Sequence, residues 1–232
     1  MSFSIATPIS ITVSDTVRVS GLLQTPPHSL ACCVLAHGAG AGMNHPFMAA
    51  VAAELAQRGI GTLRYQFPYM ERGAKRPDPP QLAQATVRAA VGAALALFPK
   101  HPLIAGGKSF GGRMASQAQA KTPLQGVCGL AFLGFPLHPA GRPSQDRAVL
   151  LFDVLIPMLF LQGTRDNLAS VDQLEPLCKG LGRRATLKLF ADADHSFHVP
   201  ARSGRKDAQV LADVLDAFAA WLDGVIAPIL GD

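Results

Sequence analysis

One serine in this chain stands in a setting suited to nucleophilic chemistry. Gly107-Lys108-Ser109-Phe110-Gly111 has the form Gly-x-Ser-x-Gly. The apolar stretch Leu103 to Gly106 precedes it and a helix-forming stretch, Gly111 to Ala120, follows. A strand that runs through a tight turn into a helix needs small residues on both sides of that turn. The turn lifts the serine hydroxyl clear of a sheet, and the first N–H groups of the helix point towards it. Gly107-Lys108-Ser109 also resembles the end of a phosphate-binding loop, Gly-x-x-x-x-Gly-Lys-Ser. That reading fails: Pro102 occupies the first glycine position, and the strand would fall inside the loop.

A serine hydroxyl is a poor nucleophile at neutral pH and needs a base. His195 follows the strand expected at Thr186 to Phe190, within Asp192-Ala193-Asp194-His195-Ser196-Phe197. His198 is a rival three residues further from that strand. Asp166, shortly after the strand expected at Met158 to Leu161, is the expected partner that holds the imidazole tautomer. Asp192 and Asp194 are alternatives on the loop of His195 itself, whereas Asp153 precedes its strand and falls at the wrong end. His37-Gly38-Ala39-Gly40-Ala41-Gly42 follows the apolar run Ala31 to Ala36. Small residues there let backbone N–H groups approach a developing oxyanion, and Ala39 and Phe110 are the expected donors. His37 reads as a packed histidine. The order Ser109, Asp166, His195 along the chain is one of the known triad orders.

The elements that must carry these residues alternate between strand and helix. Ile9 to Val13 and Val17 to Leu23 read as a hairpin turning at Ser14-Asp15. Ala31 to Ala36, Ile60 to Arg64, Leu103 to Gly106, Val127 to Leu133, Met158 to Leu161 and Thr186 to Phe190 read as further strands. Pro46 to Gln57, Gln81 to Phe98, Gly111 to Ala120 and Lys206 to Leu222 read as helices. Such alternation predicts a mostly parallel sheet covered on both faces, with chemistry at the carboxyl ends of the strands. No repeat or linker divides the chain, so a single domain over 1–232 is expected. The Tyr65 to Tyr69 stretch follows a strand, and Tyr65, Phe67 and Tyr69 are the expected wall of a substrate pocket. Residues 134–157 are too few for a large lid, so the site should be open.

Composition narrows the function classes. Hydrophobic residues make up 49% and charged residues 16%, enough for a large core and too little charge for disorder. The net charge of +5 comes from scattered Lys and Arg, without the basic runs and stacking aromatics of a nucleic-acid surface. Cys32, Cys33, Cys128 and Cys178 form no Cys-x-x-Cys pair, so no metal or redox site is expected and the thiols read as buried and inert. Met1 to Val17 lacks a basic segment followed by an apolar run, and no unbroken apolar stretch is long enough to span a membrane. The expectation is a cytoplasmic protein with a small-molecule substrate and no cofactor; its oligomeric state is not legible.

Six segments, in order, resemble the α/β-hydrolase superfamily: Leu35 to Gly40, Arg64 to Tyr69, Gly106 to Met114, Gly134 to Pro139, Leu161 to Asp166 and Asp194 to Phe197. More narrowly they resemble its small dienelactone-hydrolase-like branch, in the group of testis-expressed protein thirty, NSL-complex subunit 3 and bacterial predicted hydrolases. The resemblance implies a sheet of about eight strands and a triad of Ser109, Asp166 and His195. Tyr65 and Gln66 depart from the group's usual Arg-Phe-Asn-Phe-Pro-Tyr. The expected function is a serine hydrolase cleaving a small ester, thioester or activated amide through an acyl-enzyme on Ser109. The alternative, in a fold that also hosts non-catalytic members, is a silent protein-interaction module.

Overall fold

The unbroken apolar runs form the centre of one eight-stranded sheet in the computed structural model, which describes residues 5–142 and 144–230. In chain order the strands are β1 (Thr7–Thr12), β2 (Arg18–Gln24), β3 (Ala31–Ala36), β4 (Ile60–Tyr65), β5 (Leu103–Lys108), β6 (Val127–Leu133), β7 (Met158–Gly163) and β8 (Ala185–Phe190). Across the sheet they lie in the order β1-β2-β4-β3-β5-β6-β7-β8. β1, β2 and β4 pair antiparallel, and every pairing from β4 to β8 is parallel.

The run Ala31 to Ala36 is apolar throughout because both faces of β3 are buried. Cys32, Val34 and Ala36 lie on the sheet face covered by α3 (Pro80–Leu97), α4 (Phe110–Lys121) and, towards β8, α5 (Val171–Leu181), in one core with Ala83, Val87, Met114, Ala115 and Leu174. Ala31, Cys33 and Leu35 face α1 (Pro46–Gln57) and α6 (Asp207–Leu230), packed through Met48, Val51, Leu55, Val214 and Phe218. Successive side chains of a strand point to opposite faces, so a doubly covered strand has no polar side to show. Each large side chain buried in this way contributes about 2 kcal/mol relative to exposure.

All four cysteines are free. Burial pushes the Cys32 thiol up to about 12, far from thiolate chemistry at neutral pH. Among the described residues, no group of His, Cys, Asp or Glu is placed to hold a metal ion. No helix of the described residues is long and apolar enough to cross a membrane.

Some elements differ from the sequence reading. A short helix, α2 (Pro68–Glu71), interrupts the loop expected after β4. The helix α5 contains Pro176, and the sequence pattern alone does not predict it. That proline cannot donate to the carbonyl four residues back. Burial of Leu174, Leu177, Cys178 and Leu181 on one face keeps the helix intact. α6 continues past Leu222, through Gly224 and Pro228, while Ile226 packs in the core.

The chain runs from β3 leftward to β4, then returns to place β5 on the other side of β3. The loops after β3 and β5 therefore diverge and open a crevice at their carboxyl ends. Residues 134–157, between β6 and β7, carry the 3-10 helix Val149–Asp153. Its Leu151 packs into the core on the α4 side. Among the described residues, no segment forms a lid over Ser109.

Candidate active site

Ser109 sits between β5 and α4 with φ 51° and ψ −112°, a backbone conformation that L-residues rarely adopt. The flanking glycines are there because the chain passes too close to β3 for a side chain. A Cβ on Gly107 would lie 2.1 Å from the Ala36 carbonyl oxygen, and one on Gly111 would lie 2.6 Å from the same oxygen. Phe110 begins α4, so its N–H has no intrahelical acceptor. The turn after β3 lies over the nucleophile: a Cβ on Gly38 would stand 3.8 Å from that of Ser109. Neither the Ala39 nor the Phe110 N–H is spent on an internal hydrogen bond among the described residues.

His195 Nε2 lies 2.8 Å from Ser109 Oγ. Its Nδ1 lies 2.6 Å from Asp166 Oδ2. With the proton on Nδ1 donated to Asp166, the lone pair on Nε2 faces the serine hydroxyl. The Asp166 side chain is fully buried and accepts two further hydrogen bonds. Leu168 N–H donates to Oδ1 at 2.8 Å, and Gln162 Nε2 donates to Oδ2. Gln162 is itself fixed by the Phe135 N–H, which donates to its Oε1 at 2.9 Å.

The loop of His195 is held from both ends. Arg165 N–H donates to the Ala193 carbonyl at 2.8 Å. Asp194 Oδ1 accepts from the N–H groups of Ser196 (2.7 Å) and His198 (3.0 Å). Asp194 thus shapes the loop, and Asp166 reaches the imidazole. His198 lines the same cavity as Ser109 but pairs with exposed Asp207 at 2.8 Å, a hydrogen bond that raises its pKa.

Lys108, beside the nucleophile, is a residue the sequence reading passed over. Its Nζ donates to the His195 carbonyl oxygen at 2.5 Å and lies 5.9 Å from the centre of the Phe197 ring. Burial pushes its ammonium down to about 8, against the pull of Asp166 and Asp194. Lys108 joins the nucleophile turn to the histidine loop. The signal available beforehand was its place inside Gly-x-Ser-x-Gly. Gln162 carried a fainter one, its place four residues before Asp166.

His37 is buried and packed. Phe67 N–H donates to its Nε2 at 3.0 Å, so the proton is on Nδ1 and is donated to the Gly38 carbonyl at 2.8 Å. Burial pushes His37 down to about 4, so it stays neutral while a free histidine would be charged. The sign follows: below about 6.5 the unfolded chain takes up a proton that the folded chain refuses until about 4. Folding stability should therefore fall by on the order of 3 kcal/mol from this residue between those values. Urea unfolding of the wild type and His37→Gln from pH 7 to 4 checks this. Equal slopes for the two proteins would exonerate His37.

Two cavities flank Ser109. The larger, about 540 Å³, is lined by Lys108, Ser109 and His195 with His45, Phe47 and Met48 at the start of α1. The smaller, about 420 Å³, is lined by Ala39, Ser109 and Phe110 with Arg113, Arg147 and His138. Tyr65, Phe67 and Tyr69 line neither cavity, which corrects the expected pocket wall. All three are at most 1% exposed. Phe67 and Tyr69 pack edge-on against Phe110, Phe67 packs edge-on and Tyr69 tilted against the ring of His37, and Tyr65 packs on Phe67. The chain after β4 turns inward, so these aromatics brace the loops of the site from behind. Phe47 and Met48 line the cleft in their place.

A strained serine turn, a histidine within reach and a buried carboxylate behind it make the constellation of a serine hydrolase, on an eight-stranded α/β scaffold. Residues 29–223 match the α/β hydrolase domain family, and the chain belongs to it. It is similar in structure to a dienelactone hydrolase from Anabaena variabilis (21% identity over 97% of this chain and 98% of that one, TM-score 0.74). It is also similar to an α/β serine hydrolase without lid from Xanthomonas campestris (20% identity, 94% and 95% covered, TM-score 0.70). A third is an α/β serine hydrolase homologue from Coxiella burnetii (16% identity, 92% and 99% covered, TM-score 0.72). These likenesses show the fold.

Proposed function

We propose that this protein cleaves a small ester, thioester or activated amide through an acyl-enzyme on Ser109. The observation that carries the reading is the unbroken relay from Ser109 Oγ through both nitrogens of His195 to buried Asp166. Ser109 attacks the carbonyl carbon while His195 Nε2 takes its proton. The oxyanion forms against the N–H groups of Ala39 and Phe110. His195 then returns the proton to the leaving group, and water resolves the acyl-enzyme by the same steps. Asp166 holds the Nδ1–H tautomer throughout and stabilises the imidazolium.

The finer likeness to the group of testis-expressed protein thirty and NSL-complex subunit 3 rests on the six quoted segments and supports the same reading. The free thiols favour a reducing, cytoplasmic setting. No metal or other cofactor enters the reaction as written.

A fluorophosphonate should label Ser109, and labelling should vanish in Ser109→Ala. Labelling that persists in the variant would remove Ser109 from the mechanism. For neutral esters, kcat/KM should stop rising beyond short acyl chains. A longer chain extends into water and forgoes about 0.8 kcal/mol of burial for each methylene. The check is a series from acetyl to dodecanoyl esters, in which a steady rise to the longest chain would refute the open site.

A further inference from the structure

The two cavities meet at Ser109 and differ in charge. In the smaller one, Arg113 on the first turn of α4 and Arg147 on the connection after β6 stand on the wall. Among the described residues, neither guanidinium forms an ion pair or an internal hydrogen bond. Arg113 Nε is fully buried with nothing to donate to, and the group lies 5.6 Å from the centre of the Phe110 ring. The other polar groups of the wall are already engaged. Asp78 gives Oδ1 to Arg72 (2.7 Å) and Oδ2 to the Tyr69 N–H (2.8 Å). His138 is bound through both nitrogens, to the Pro139 carbonyl and to Gln173.

Two cations lining one cavity, neither paired with a carboxylate, are costly. Burial first, and then Arg147, lower the Arg113 pKa to about 10, and burial alone lowers that of Arg147; a guanidinium stays charged at neutral pH. An arginine pair with free donors suits a carboxylate, which accepts paired N–H bonds.

The side of the cleft identifies which half of the substrate carries the charge. The leaving group takes its proton from His195 Nε2, so it lies on the His195 side, in the larger cavity. The acyl chain then extends into the smaller cavity, which Phe110 lines and His195 does not; Ala39 lines both cavities. We propose that this smaller cavity is an acyl subsite for a carboxylate, and that the substrate class is the monoester or monothioester of a short dicarboxylic acid. This rests on the hydrolase reading above. The Ser109 Oγ–carbonyl bond forms and the bond to the leaving group breaks. The alcohol or thiol departs with the proton from His195, and water then releases the dicarboxylate and restores the serine hydroxyl.

The test compares monoethyl glutarate with ethyl valerate, which replaces the free carboxylate by a methyl group. The acid should have the higher kcat/KM by about 10- to 100-fold, the range for hydrogen bonds to a charged partner. The preference should shrink as salt is raised. Arg113→Met and Arg147→Met should each lower the ratio of the two values, mainly through KM for the acid. Labelling of Ser109 in each variant shows that the site is folded. A ratio of one or less in the wild type overturns the carboxylate subsite and leaves a working hydrolase. Turnover of neither ester also overturns it, and the fluorophosphonate label then shows whether the hydrolase reading stands.

Discussion

Ser109→Ala should lower kcat/KM for any ester substrate by about 10⁴-fold or more, with the fold retained. Ser109 lines both cavities and its hydroxyl is hydrogen-bonded to the base, at 2.8 Å. Without it His195 has nothing to activate but water. The residual rate would come from the oxyanion donors and from binding. A second substitution separates chemistry from strain. At φ 51° and ψ −112°, Ser109 holds a conformation that costs of order 1–3 kcal/mol for a residue with a Cβ. Alanine keeps that cost and glycine removes most of it, though glycine also loses more entropy on folding. Ser109→Gly should therefore be inactive and more stable than Ser109→Ala, by about 1 kcal/mol. Denaturant unfolding of the two variants measures the difference. Equal midpoints would mean that the turn is not strained.

Asp166→Asn should lower kcat by about 10⁴-fold with the site otherwise in place. Asp166 accepts from three donors: His195 Nδ1, Gln162 Nε2 and the Leu168 N–H. An asparagine amide has one oxygen to offer. If the oxygen faces His195, its NH₂ group meets the Leu168 N–H, donor against donor. If the amide turns round, it donates to Nδ1 and drives the imidazole proton to Nε2, where it blocks transfer from Ser109. Both arrangements are buried, so water cannot repair either. The variant should still fold, and its activity should be measured beside that of Ser109→Ala. Wild-type turnover would show that the carboxylate does not orient the base.

Much of this was legible along the chain because it depends on local order. Apolar runs that lack a polar side, such as Ala31 to Ala36, marked strands covered on both faces. The glycines around Ser109 marked a turn with no room for side chains, and the structure supplies the obstacle, the backbone of β3. Asp166 and His195 could be chosen over Asp153 because each follows a strand and so falls at the carboxyl end of a parallel sheet. The helix α5 was not legible: Pro176 argues against a helix locally, and the burial that overrules it comes from the sheet beneath.

The candidates for the triad, their order and the shape of the turn that carries Ser109 were legible in the sequence, since which residues follow a strand and what a turn tolerates are local properties; the fold decided that Asp166, rather than Asp192 or Asp194, reaches His195. Which side chains face the cleft was decided only by tertiary packing. Tyr65, Phe67 and Tyr69 have the composition of a pocket wall, yet the inward turn after β4 buries them behind His37 and Phe110. Arg113 and Arg147 carry no motif, and the fold brings both to one cavity beside Ser109. Burial and charge pairing depend on distances in space between residues remote in the chain, and these exist only once the sheet has assembled.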